Sequence, residues 1–257
     1  MDLTTLFRLD GRTALVTGGS RGIGKMIAEG YLRSGARVYI SSRKADECQA
    51  AAAELSALGE CVALPADVST TSGIDDLVGR YTEREPALDI LVNNAGAAWG
   101  APFAEFPESG WDKVMDLNVK APFFLTQALA PVIARRAGDH LGKVVNIASI
   151  DGITTSANET YSYHASKAGV MHLTRRMAMR LAGDGIIVSG IAPGAFASKM
   201  NRDAIDRAEE LSAAIPAGRV GVPEDMAAAA IYLASRAGDY VVGETIVVDG
   251  GVVHITR

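Results

Sequence analysis

Short apolar runs alternate with longer amphipathic stretches from one end of the chain to the other. Most of the apolar runs are continuous stretches of valine, isoleucine and leucine, which is typical of parallel strands that are covered on both faces. We predict strands over 12–17, 36–41, 61–66, 88–93, 143–148, 186–191 and 245–250. The intervening periodicity predicts helices that include 23–34, 44–58, 111–136, 164–182 and 223–235.

Strand and helix alternate about seven times, which predicts an α/β fold with a parallel sheet and helices on both faces. No Pro/Ser-rich linker or block of charge divides the 257 residues, so we expect one domain over 1–257. Open parallel sheets bind ligands at the carboxyl ends of their strands. We therefore expect the functional residues in the loops at that edge.

Composition and charge argue against several kinds of partner. The net charge of −5 argues against nucleic acid, and no apolar run approaches the roughly 18 residues of a membrane span. The first residues, MDLTTLFRLDGR, are too polar for a secretory signal. Cys48 and Cys61 are too few for a disulfide framework and lack metal-ligand spacing. We expect a cytoplasmic protein with reduced thiols that binds no metal, nucleic acid or membrane.

A glycine-rich turn, TGGSRGIG at 17–24, joins the first predicted strand to the first long helix. Glycines at such a junction let the backbone approach a pyrophosphate, while the N–H groups and dipole of the helix face the anion. A turn of this kind can occur without a ligand, but its place in the first strand–turn–helix unit favours nucleotide binding. The candidate residues are Gly18, Ser20, Arg21, Gly22, Ile23 and Gly24.

The end of the second strand indicates which nucleotide is bound. NAD sites usually place a carboxylate there for the ribose 2′-hydroxyl, but this chain has Ser41, Ser42, Arg43 and Lys44. A guanidinium suits a 2′-phosphate because it can donate two parallel hydrogen bonds, and Arg21 adds a second cation. The other interpretation is that Arg43 begins a solvated helix. We favour NADP(H) as the cofactor, with Ser42 and Arg43 as its ligands.

Two tyrosines near residue 160 are candidates for acid–base chemistry. Tyr163 and Lys167 have the i, i+4 spacing that places side chains on one helix face, whereas Tyr161 stands six residues before the lysine. A nearby cation lowers the pKa of a phenol, as general acid–base catalysis requires. The pair alone is common, but Ser149 ends the fifth predicted strand and could polarise a carbonyl oxygen. Asn118 lies inside the predicted helix 111–136, where a buried amide needs hydrogen-bond partners.

Together these motifs resemble the short-chain dehydrogenase/reductase family. In chain order they are Thr17-Gly18-x-x-x-Gly22-x-Gly24, Asn93-Asn94-Ala95-Gly96, Ser149, Tyr163-x-x-x-Lys167 and Pro193-Gly194. The match covers essentially the whole chain. The resemblance implies a single Rossmann-type three-layer domain with a seven-stranded parallel sheet. It also implies hydride transfer between a nicotinamide and a ketone or secondary alcohol, in a homotetramer built as a dimer of dimers.

The resemblance also implies roles for individual residues. Tyr163 would protonate the developing alkoxide during reduction, Lys167 would lower the pKa of that phenol and bind the nicotinamide ribose, and Ser149 would hold the substrate oxygen. Asn118 would support a water-linked proton relay through the lysine. The implied cofactor contacts are Asp67 and Val68 at the adenine, Asn94, Ala95 and Gly96 after the fourth strand, and Pro193, Gly194 and Ser198 at the nicotinamide amide.

Some positions depart from the family pattern. Ser189 stands where the family commonly has Asn, and Ser198 replaces a usual Thr. Reductases that act on ketoacyl carrier proteins often have basic residues near 139–140 and 184, where this chain has Asp139, His140 and Asp184. The acidic or near-neutral charge there lowers our expectation of an acidic carrier protein as partner.

Residues 195–216 are predicted to form a helical lid over the substrate. Its apolar residues could cover a hydrophobic substrate: Phe196, Met200, Ile205, Leu211 and Ile215. Its basic residues, Lys199, Arg202 and Arg207, could meet an anionic tail or form a solvated helix face. Trp99 and the pair Asn158–Glu159 are expected to line the pocket, although Trp99 could equally be a packing residue.

The stretches ISSRK, AAWG and PGAFASKM are similar to the ketoacyl reductases associated with rhamnolipid production. Tropinone reductases and gluconate 5-dehydrogenases share parts of the same pattern. Our leading hypothesis is an NADPH-dependent reductase of a 3-oxoacyl thioester or related ketone. The alternatives are a polyol or sugar-acid dehydrogenase, a tropinone reductase-like ketone reductase, and a non-catalytic nucleotide-binding scaffold, which the intact Ser149, Tyr163 and Lys167 argue against.

Overall fold

The computed structural model describes residues 3–134, 140–197 and 206–255. Within these ranges the strands are β1 (Thr13–Thr17), β2 (Arg37–Ser41), β3 (Cys61–Ala63), β4 (Ile90–Asn93), β5 (Gly142–Ile147), β6 (Ile186–Pro193) and β7 (Thr245–Val248). The helices are α1 (Leu3–Leu6), α2 (Gly22–Arg33), α3 (Ala45–Leu55), α4 (Thr71–Thr82), α5 (Glu108–Met115), α6 (Ala121–Ile133), α7 (Tyr161–Leu181), α8 (Ala208–Ala214) and α9 (Pro223–Ala234). None of the described helices is long and apolar enough to cross a membrane.

The seven strands form one sheet in the order β3-β2-β1-β4-β5-β6-β7, and every pair is parallel. The strand order reverses between β1 and β4, since the chain builds outward from β1 to β3 and then returns to the other side. A crevice opens at the carboxyl ends of the strands at such a reversal point. All four loops that carry the predicted motifs after β1, β4, β5 and β6 therefore reach the same edge of the sheet.

Two apolar layers cover the sheet, one on each face. Successive strand residues point to opposite faces, and in β1 Val16 packs on the side of α2, α3 and α9 while Leu15 packs on the side of α4, α6 and α7. The strands β1, β4, β5 and β6 lie in the centre and are buried at almost every position. This explains the continuous apolar runs in the sequence and confirms the predicted Rossmann-type three-layer fold.

The predicted strands are all present, with ends that shift by a few residues. The largest shortening is in β3, which ends at Ala63 rather than at 66. Helix α7 begins at Tyr161, three residues before the predicted start, so that Tyr163 and Lys167 both lie in its first two turns. Helices α1 and α4 were not among the helices predicted by position, whereas α8 lies within the segment 195–216 that was predicted to be helical.

The prediction of one uninterrupted helix over 111–136 is wrong, because the segment is interrupted near its middle. A π-helical turn, Asp116–Lys120, separates α5 from α6, and the Ala121 N–H donates to the Asp116 carbonyl five residues earlier. Pro122 follows this turn and carries no N–H, so it cannot donate the hydrogen bond that the Asn118 carbonyl would receive in a regular helix. A proline inside a helical pattern was the signal for this break, and the sequence prediction did not use it.

The lid region is partly described. Ser198, Lys199, Met200, Arg202 and Ile205 lie outside the described residues. Phe196 does not cover a substrate site, because it is 3% exposed, belongs to the core on the α2–α9 side and pairs with Gly221. Arg207 forms an ion pair with Glu210 at 2.5 Å, which agrees with the interpretation of a solvated helix face. The lid itself stays a prediction.

Candidate active site

The glycine turn after β1 leaves no room for side chains. Gly18 has a φ of 66°, and a Cβ at this position would lie 2.7 Å from Asn94 Nδ2. A Cβ at Gly24 would lie 2.4 Å from the Gly18 carbonyl oxygen. A side chain at either position would therefore displace the loop or Asn94. Glycine at both positions keeps this turn compact, so its backbone can come close to a ligand.

The polar groups around this turn fit a nucleotide phosphate. No side chain caps the N-terminus of α2, so its first N–H groups remain available to an anion. The Gly19 N–H donates to the Ser41 carbonyl at 3.2 Å, which joins the turn to the end of β2. The Ser41 hydroxyl is buried and has no hydrogen-bond partner among the described residues. A buried unpaired hydroxyl beside an uncapped helix N-terminus suits a polar ligand.

Thr17 and Asn94 build the turn, and the sequence interpretation did not give Thr17 this role. The Thr17 hydroxyl accepts from the N–H groups of Asn94 and Ala95, both at 3.0 Å, and donates to the Val92 carbonyl at 3.2 Å. Asn94 Nδ2 donates to the Thr17 carbonyl at 2.8 Å and the Gly18 carbonyl at 3.3 Å. The loops after β1 and β4 are thus held together, although 77 residues separate Thr17 from Asn94.

The charged residues at the end of β2 differ in their partners. Arg21 and Lys44 both pair with Glu47, at 2.9 and 2.8 Å. Arg43 is exposed and forms no ion pair within the described part of the chain. The Ser42 hydroxyl lies 3.5 Å from the Lys44 carbonyl. Arg43 therefore has a guanidinium that is available to a phosphate beside the glycine turn. The charge of Arg21 is already partly neutralised by Glu47.

Asp67 and Val68 follow β3 at the same edge of the sheet. Asp67 Oδ1 accepts from the Ser69 N–H at 3.1 Å and from the Ser69 hydroxyl at 2.7 Å. Val68 is 5% exposed and packs with Leu64 and other residues of the core on the α4 side. The carboxylate orders its own turn, and the contacts of these residues with adenine stay a prediction.

Asn118 lies in the π-helical turn, and its side-chain amide forms hydrogen bonds with Ala97 and Ser166. Its Oδ1 accepts from the Ala97 N–H at 2.8 Å, and its Nδ2 donates to the Ala97 carbonyl at 2.9 Å. Nδ2 also donates to the Ser166 hydroxyl at 2.9 Å, which itself donates to the Tyr163 carbonyl at 2.8 Å. The amide thus connects the loop after β4 to the stretch of α7 that carries Tyr163 and Lys167. Ser166 was missed by sequence reasoning; its position next to Lys167, three residues after Tyr163, was the available signal.

Ser149 and Tyr163 lie together at the end of β5. Ser149 is 8% exposed and accepts from the Asp151 N–H at 3.1 Å, which caps the short turn Ile150–Gly152. Burial raises the pKa of Tyr163 to about 12, a hydrogen bond with Ser149 acts to lower the pKa, and the Asp151 carboxylate acts to raise it. The net shift differs from the expected depression of the pKa, because the loss of hydration outweighs the other effects.

Lys167 is a buried lysine beside this phenol. It is 6% exposed, its Nζ donates to the Ile147 carbonyl at 2.8 Å, and it lies 5.5 Å from the centre of the Tyr163 ring. Burial lowers the pKa of Lys167 to about 8. Because the lysine loses its proton well before the tyrosine would ionise, its charge is no longer present to stabilise a phenolate. Gly96 borders the same point, since a Cβ there would lie 3.8 Å from Nζ.

Pro193 ends β6, and Gly194 follows it with its N–H donating to the Val248 carbonyl at 2.9 Å. This turn lies at the same carboxyl edge as Ser149, since β5 and β6 are neighbours in the sheet. Ser189 is 1% exposed within β6. Ser198 belongs to the undescribed part, and its contact with a cofactor amide stays a prediction.

Two aromatic side chains near the expected pocket pack against their neighbours. Tyr161 packs edge-on against Phe103 and Phe106, each at 5.5 Å, and donates to Glu159 at 2.8 Å. Trp99 packs over Gly110, where a Cβ would lie 2.7 Å from the indole ring. Both side chains have packing roles, and for Trp99 packing was one of the two interpretations of the sequence.

The fold and this site define a class of protein, the Rossmann-type oxidoreductases. The glycine turn follows β1, and a serine, a tyrosine and a lysine lie at the same edge of the sheet, near the end of β5. A family model described as "Enoyl-(Acyl carrier protein) reductase" matches residues 18–253. The chain belongs to the short-chain dehydrogenase/reductase family.

Known relatives cover nearly the whole chain. It is 49% identical over 249 residues to the rhamnolipids biosynthesis 3-oxoacyl-[acyl-carrier-protein] reductase of Pseudomonas aeruginosa. The aligned region covers 95% of this chain and 97% of that reductase. An RhlG/NADP active-site complex from Pseudomonas aeruginosa superposes with a TM-score of 0.93 at 48% identity, covering 96% and 98% of the two chains. A gluconate 5-dehydrogenase from Burkholderia cenocepacia J2315, in complex with NADP and tartrate, superposes with a TM-score of 0.91 at 34% identity, covering 99% and 100%.

These likenesses confirm the predicted family, the seven-stranded Rossmann-type domain and the oxidoreductase class acting on CH–OH groups. The predicted cofactor, NADP(H), is borne out by the solved relatives that are described as NADP complexes.

Proposed function

We propose that this chain reduces the carbonyl of a 3-oxoacyl thioester or a related ketone with NADPH. The observation that carries the proposal is the group formed by Ser149, Tyr163 and Lys167 at the end of β5, with the nucleotide turn two strands away in the sheet. A phenol whose pKa is raised to about 12 keeps its proton at neutral pH. At neutral pH it is therefore in the protonated state from which a reduction starts.

Each side chain has a part in this reaction. Tyr163 gives its proton to the developing alkoxide oxygen, and Ser149 donates a hydrogen bond to the same oxygen. Lys167 places a cation behind the phenol and can donate to hydroxyl groups of a bound ribose. Asn118 holds the loop after β4 against α7 through Ala97 and Ser166. Bound NADPH supplies the hydride.

The cofactor proposal is supported by residues that fit it. The glycine turn, the uncapped N-terminus of α2 and the buried Ser41 hydroxyl suit the phosphates and ribose of a dinucleotide. The available Arg43 and the absence of a carboxylate at the end of β2 suit a 2′-phosphate.

The substrate proposal follows the relative with 49% identity, whose name gives a 3-oxoacyl carrier-protein thioester as its substrate. Of the positions that lowered our expectation of a carrier protein, Asp184 pairs with Arg180 at 2.8 Å and His140 with Asp89 at 2.6 Å. The Asp184–Arg180 pair leaves little unbalanced charge at that position for a carrier. The experiment therefore includes both coenzyme A and carrier-protein thioesters.

A sugar-acid or polyol dehydrogenase is the second candidate. Relatives named gluconate 5-dehydrogenase and sorbitol dehydrogenase are 37% and 38% identical to the chain. Asp151 lies close enough to Tyr163 to act on its pKa, and a carboxylate there could accept hydrogen bonds from substrate hydroxyl groups. An oxidation of gluconate or sorbitol that exceeds every ketone reduction in kcat/KM would favour this candidate.

Two further proposals concern the whole protein. We propose a homotetramer with two-fold contacts through α5, α6 and α7, and a cytoplasmic location in keeping with two free cysteines, Cys48 and Cys61. Cys48 is buried, and burial raises the pKa of both thiols, so neither is a reactive thiolate.

The central experiment is a substrate panel followed at 340 nm with NADPH and NADH. It contains 3-oxoacyl thioesters on coenzyme A and on a carrier protein, simple ketones, gluconate and sorbitol. We expect the highest kcat/KM for a 3-oxoacyl thioester with NADPH. A higher value for NADH, or no turnover of any ketone, would contradict the proposal.

Replacing the proton donor tests the mechanism. Tyr163→Phe should reduce kcat by about 100-fold or more, since a positioned general acid contributes about 10²–10⁴, while NADPH still binds. Tyr161→Phe is the matched control: it removes a hydroxyl two residues away that bonds only to Glu159 among the described residues. It should retain most of the turnover. Equal activity of the two variants would refute the assigned role.

Replacing the cation after β2 tests the cofactor preference. Arg43→Asp should weaken NADPH binding by about tenfold or more and leave NADH binding nearly unchanged, because only NADPH carries the 2′-phosphate. Arg84→Asp makes the same change of charge at an exposed position before β4, at the amino edge of the sheet, and should affect neither cofactor. Binding is measured by fluorescence titration. An equal loss for both cofactors with Arg43→Asp would remove this residue from the 2′-phosphate.

A further inference from the structure

His164 follows the proposed proton donor in α7, and its imidazole faces the segment that leads from the Ser149 turn to α7. Nδ1 lies 3.0 Å from the Thr160 carbonyl oxygen. Nε2 lies 3.4 Å from both the N–H nitrogen and the hydroxyl oxygen of Ser156, and 3.6 Å from Asp151 Oδ1. One imidazole thus contacts three points of the segment 151–160.

These partners define which ring nitrogen carries the proton. Nδ1 also lies 3.2 Å from the Thr160 hydroxyl, which can donate or accept. The shorter contact is to the Thr160 carbonyl, which can only accept, and the Ser156 N–H can only donate to Nε2. Together these two contacts place the hydrogen on Nδ1. In the neutral imidazole Nε2 then has a lone pair, which accepts from the Ser156 N–H. Neutral His164 therefore holds Ser156 and Thr160 at the same time.

Protonation changes only one side of this arrangement. Nε2 gains a hydrogen and can no longer accept from the Ser156 N–H, while Nδ1 still donates to Thr160. The new N–H faces two acceptors, the Ser156 hydroxyl oxygen at 3.4 Å and the carboxylate oxygen Asp151 Oδ1 at 3.6 Å.

Asp151 connects His164 to the catalytic group. Its N–H donates to the Ser149 hydroxyl at 3.1 Å, and its carboxylate acts on the pKa of Tyr163. The turn that contains it packs directly on α7, because a Cβ at Gly152 would lie 2.6 Å from the Lys167 carbonyl carbon. A change at Asp151 or in the following segment is therefore felt at the position of Ser149.

Asp151 is the carboxylate that lies close enough to pair with a charged His164. Of the other titratable groups near it, Glu159 on the preceding segment accepts from Tyr161 and from the Phe103 N–H. On its own helix the neighbours are Tyr161, Tyr163 and Lys167, and the Lys167 ammonium is directed to Ile147.

We propose that His164 is a positioning residue that holds the segment 153–160 in place when it is neutral, and that its protonation removes the acceptor of the Ser156 N–H and directs the imidazolium to Asp151. The segment joins the Ser149 turn to the helix that carries Tyr163, so its loosening is expected to weaken substrate binding in acid. The catalytic consequence rests on the proposed function, whereas the exchange of hydrogen bonds does not.

The tautomer is measured directly by ¹⁵N NMR of the histidine rings. The chain has four histidines, and the spectrum of His164→Asn identifies the signals of His164. At pH 8 we expect the Nδ1–H tautomer for His164. A predominant Nε2–H tautomer at pH 8 would overturn the proposal.

Hydrogen exchange measures the release of the segment. The Ser156 amide should lose about fivefold protection between pH 8 and pH 5.5, after correction for intrinsic exchange, as expected for one lost hydrogen bond. In His164→Asn the side-chain amide can still donate to Thr160 but offers nothing to Ser156, so protection should be low at both pH values. Unchanged protection of Ser156 in wild-type protein across this range would contradict the proposal.

The kinetic test separates binding from turnover with a 3-oxoacyl coenzyme A thioester as the probe. KM should rise about fivefold from pH 8 to pH 5.5 with little change in kcat. His164→Asn should show the high KM at every pH. Asp151→Asn should keep the pH dependence, because protonation of Nε2 alone releases Ser156, and His172→Asn, an exposed histidine of the same helix, should behave as wild type.

The outcomes separate the two proposals. A pH dependence of KM that persists in His164→Asn, or that disappears in Asp151→Asn, would overturn the role of His164. If no ketone is turned over at all, the proposed function fails, and the NMR and exchange measurements still decide whether His164 holds the segment.

Discussion

At the scale of single residues, the proposed chemistry depends on two ionisable groups that are buried together. Lys167 has no carboxylate partner among the described residues, and its ammonium donates to the Ile147 carbonyl. Removing a cation from water disfavours its charged form, and removing a phenol from water disfavours the phenolate. The pKa of Lys167 is thus lowered to about 8 and that of Tyr163 raised to about 12. Near pH 7 both groups hold their protons, which is the state needed for reduction.

The pH dependence of reduction follows from these two values. The lysine charge is present below a pKa of about 8 and is lost above it, so kcat/KM should fall as pH rises from 8 to 10. In Lys167→Arg the side chain stays charged in this range. The variant should therefore not show this fall in kcat/KM, even if its activity is low. Wild-type kcat/KM that stays constant to pH 10 would contradict a titrating lysine.

At the scale of elements, the site depends on places where regular structure is interrupted. The π-helical turn before Pro122 brings Asn118 into contact with the backbone of Ala97. Turns of this kind occur often at functional sites because they redirect a side chain from a helix. The loop after β1 shows the same principle with glycine, since Asn94 Nδ2 fills the space where side chains at Gly18 and Gly24 would lie.

A pair of glycine substitutions tests the role of the nucleotide turn. Gly24→Ala places a Cβ 2.4 Å from the Gly18 carbonyl oxygen and should weaken NADPH binding by at least about tenfold. Gly79→Ala in α4 meets nothing within 4 Å and should leave binding unchanged while stabilising the protein by about 0.5–1 kcal/mol. Titration with NADPH and thermal unfolding measure the two effects. Unchanged NADPH affinity in Gly24→Ala would mean that the turn does not contact the nucleotide.

At the scale of the whole molecule, several large apolar side chains lie on the surface of one layer. On α5 and α6, Trp111, Phe123 and Phe124 are 42%, 38% and 36% exposed, and Met179 on α7 is 81% exposed. Clusters of exposed apolar side chains on a folded chain mark surfaces for association. Their position on α5, α6 and α7 supports the proposed two-fold contacts between these helices.

The proposed assembly predicts a clear response to charge. Replacing Phe123 and Phe124 together by glutamate should convert the tetramer into smaller species, because carboxylates would be buried without partners. Light scattering coupled to size-exclusion chromatography measures the mass. Leu3→Glu, at a 61% exposed position of α1, is the control and should leave the assembly intact. A monomeric wild-type protein at micromolar concentration would contradict the proposal.

The sequence by itself determined the fold class, the nucleotide turn and the spacing of Tyr163 and Lys167. These features are local: continuous apolar runs predict buried parallel strands, a glycine-rich junction predicts a phosphate turn, and an i, i+4 spacing predicts a shared helix face. The family resemblance extended this to the reaction class and to NADP(H).

Only the tertiary structure decided the surroundings of those residues. Thr17 and Asn94 meet across 77 residues, Ser166 bonds to Asn118 across 48, and Phe196 enters the core instead of the lid. The direction of the Tyr163 pKa shift was also predicted wrongly, because spacing indicates a nearby cation but not how much water burial removes from each group. Long-range contacts and desolvation depend on how the layers pack, and no local pattern in the chain records them.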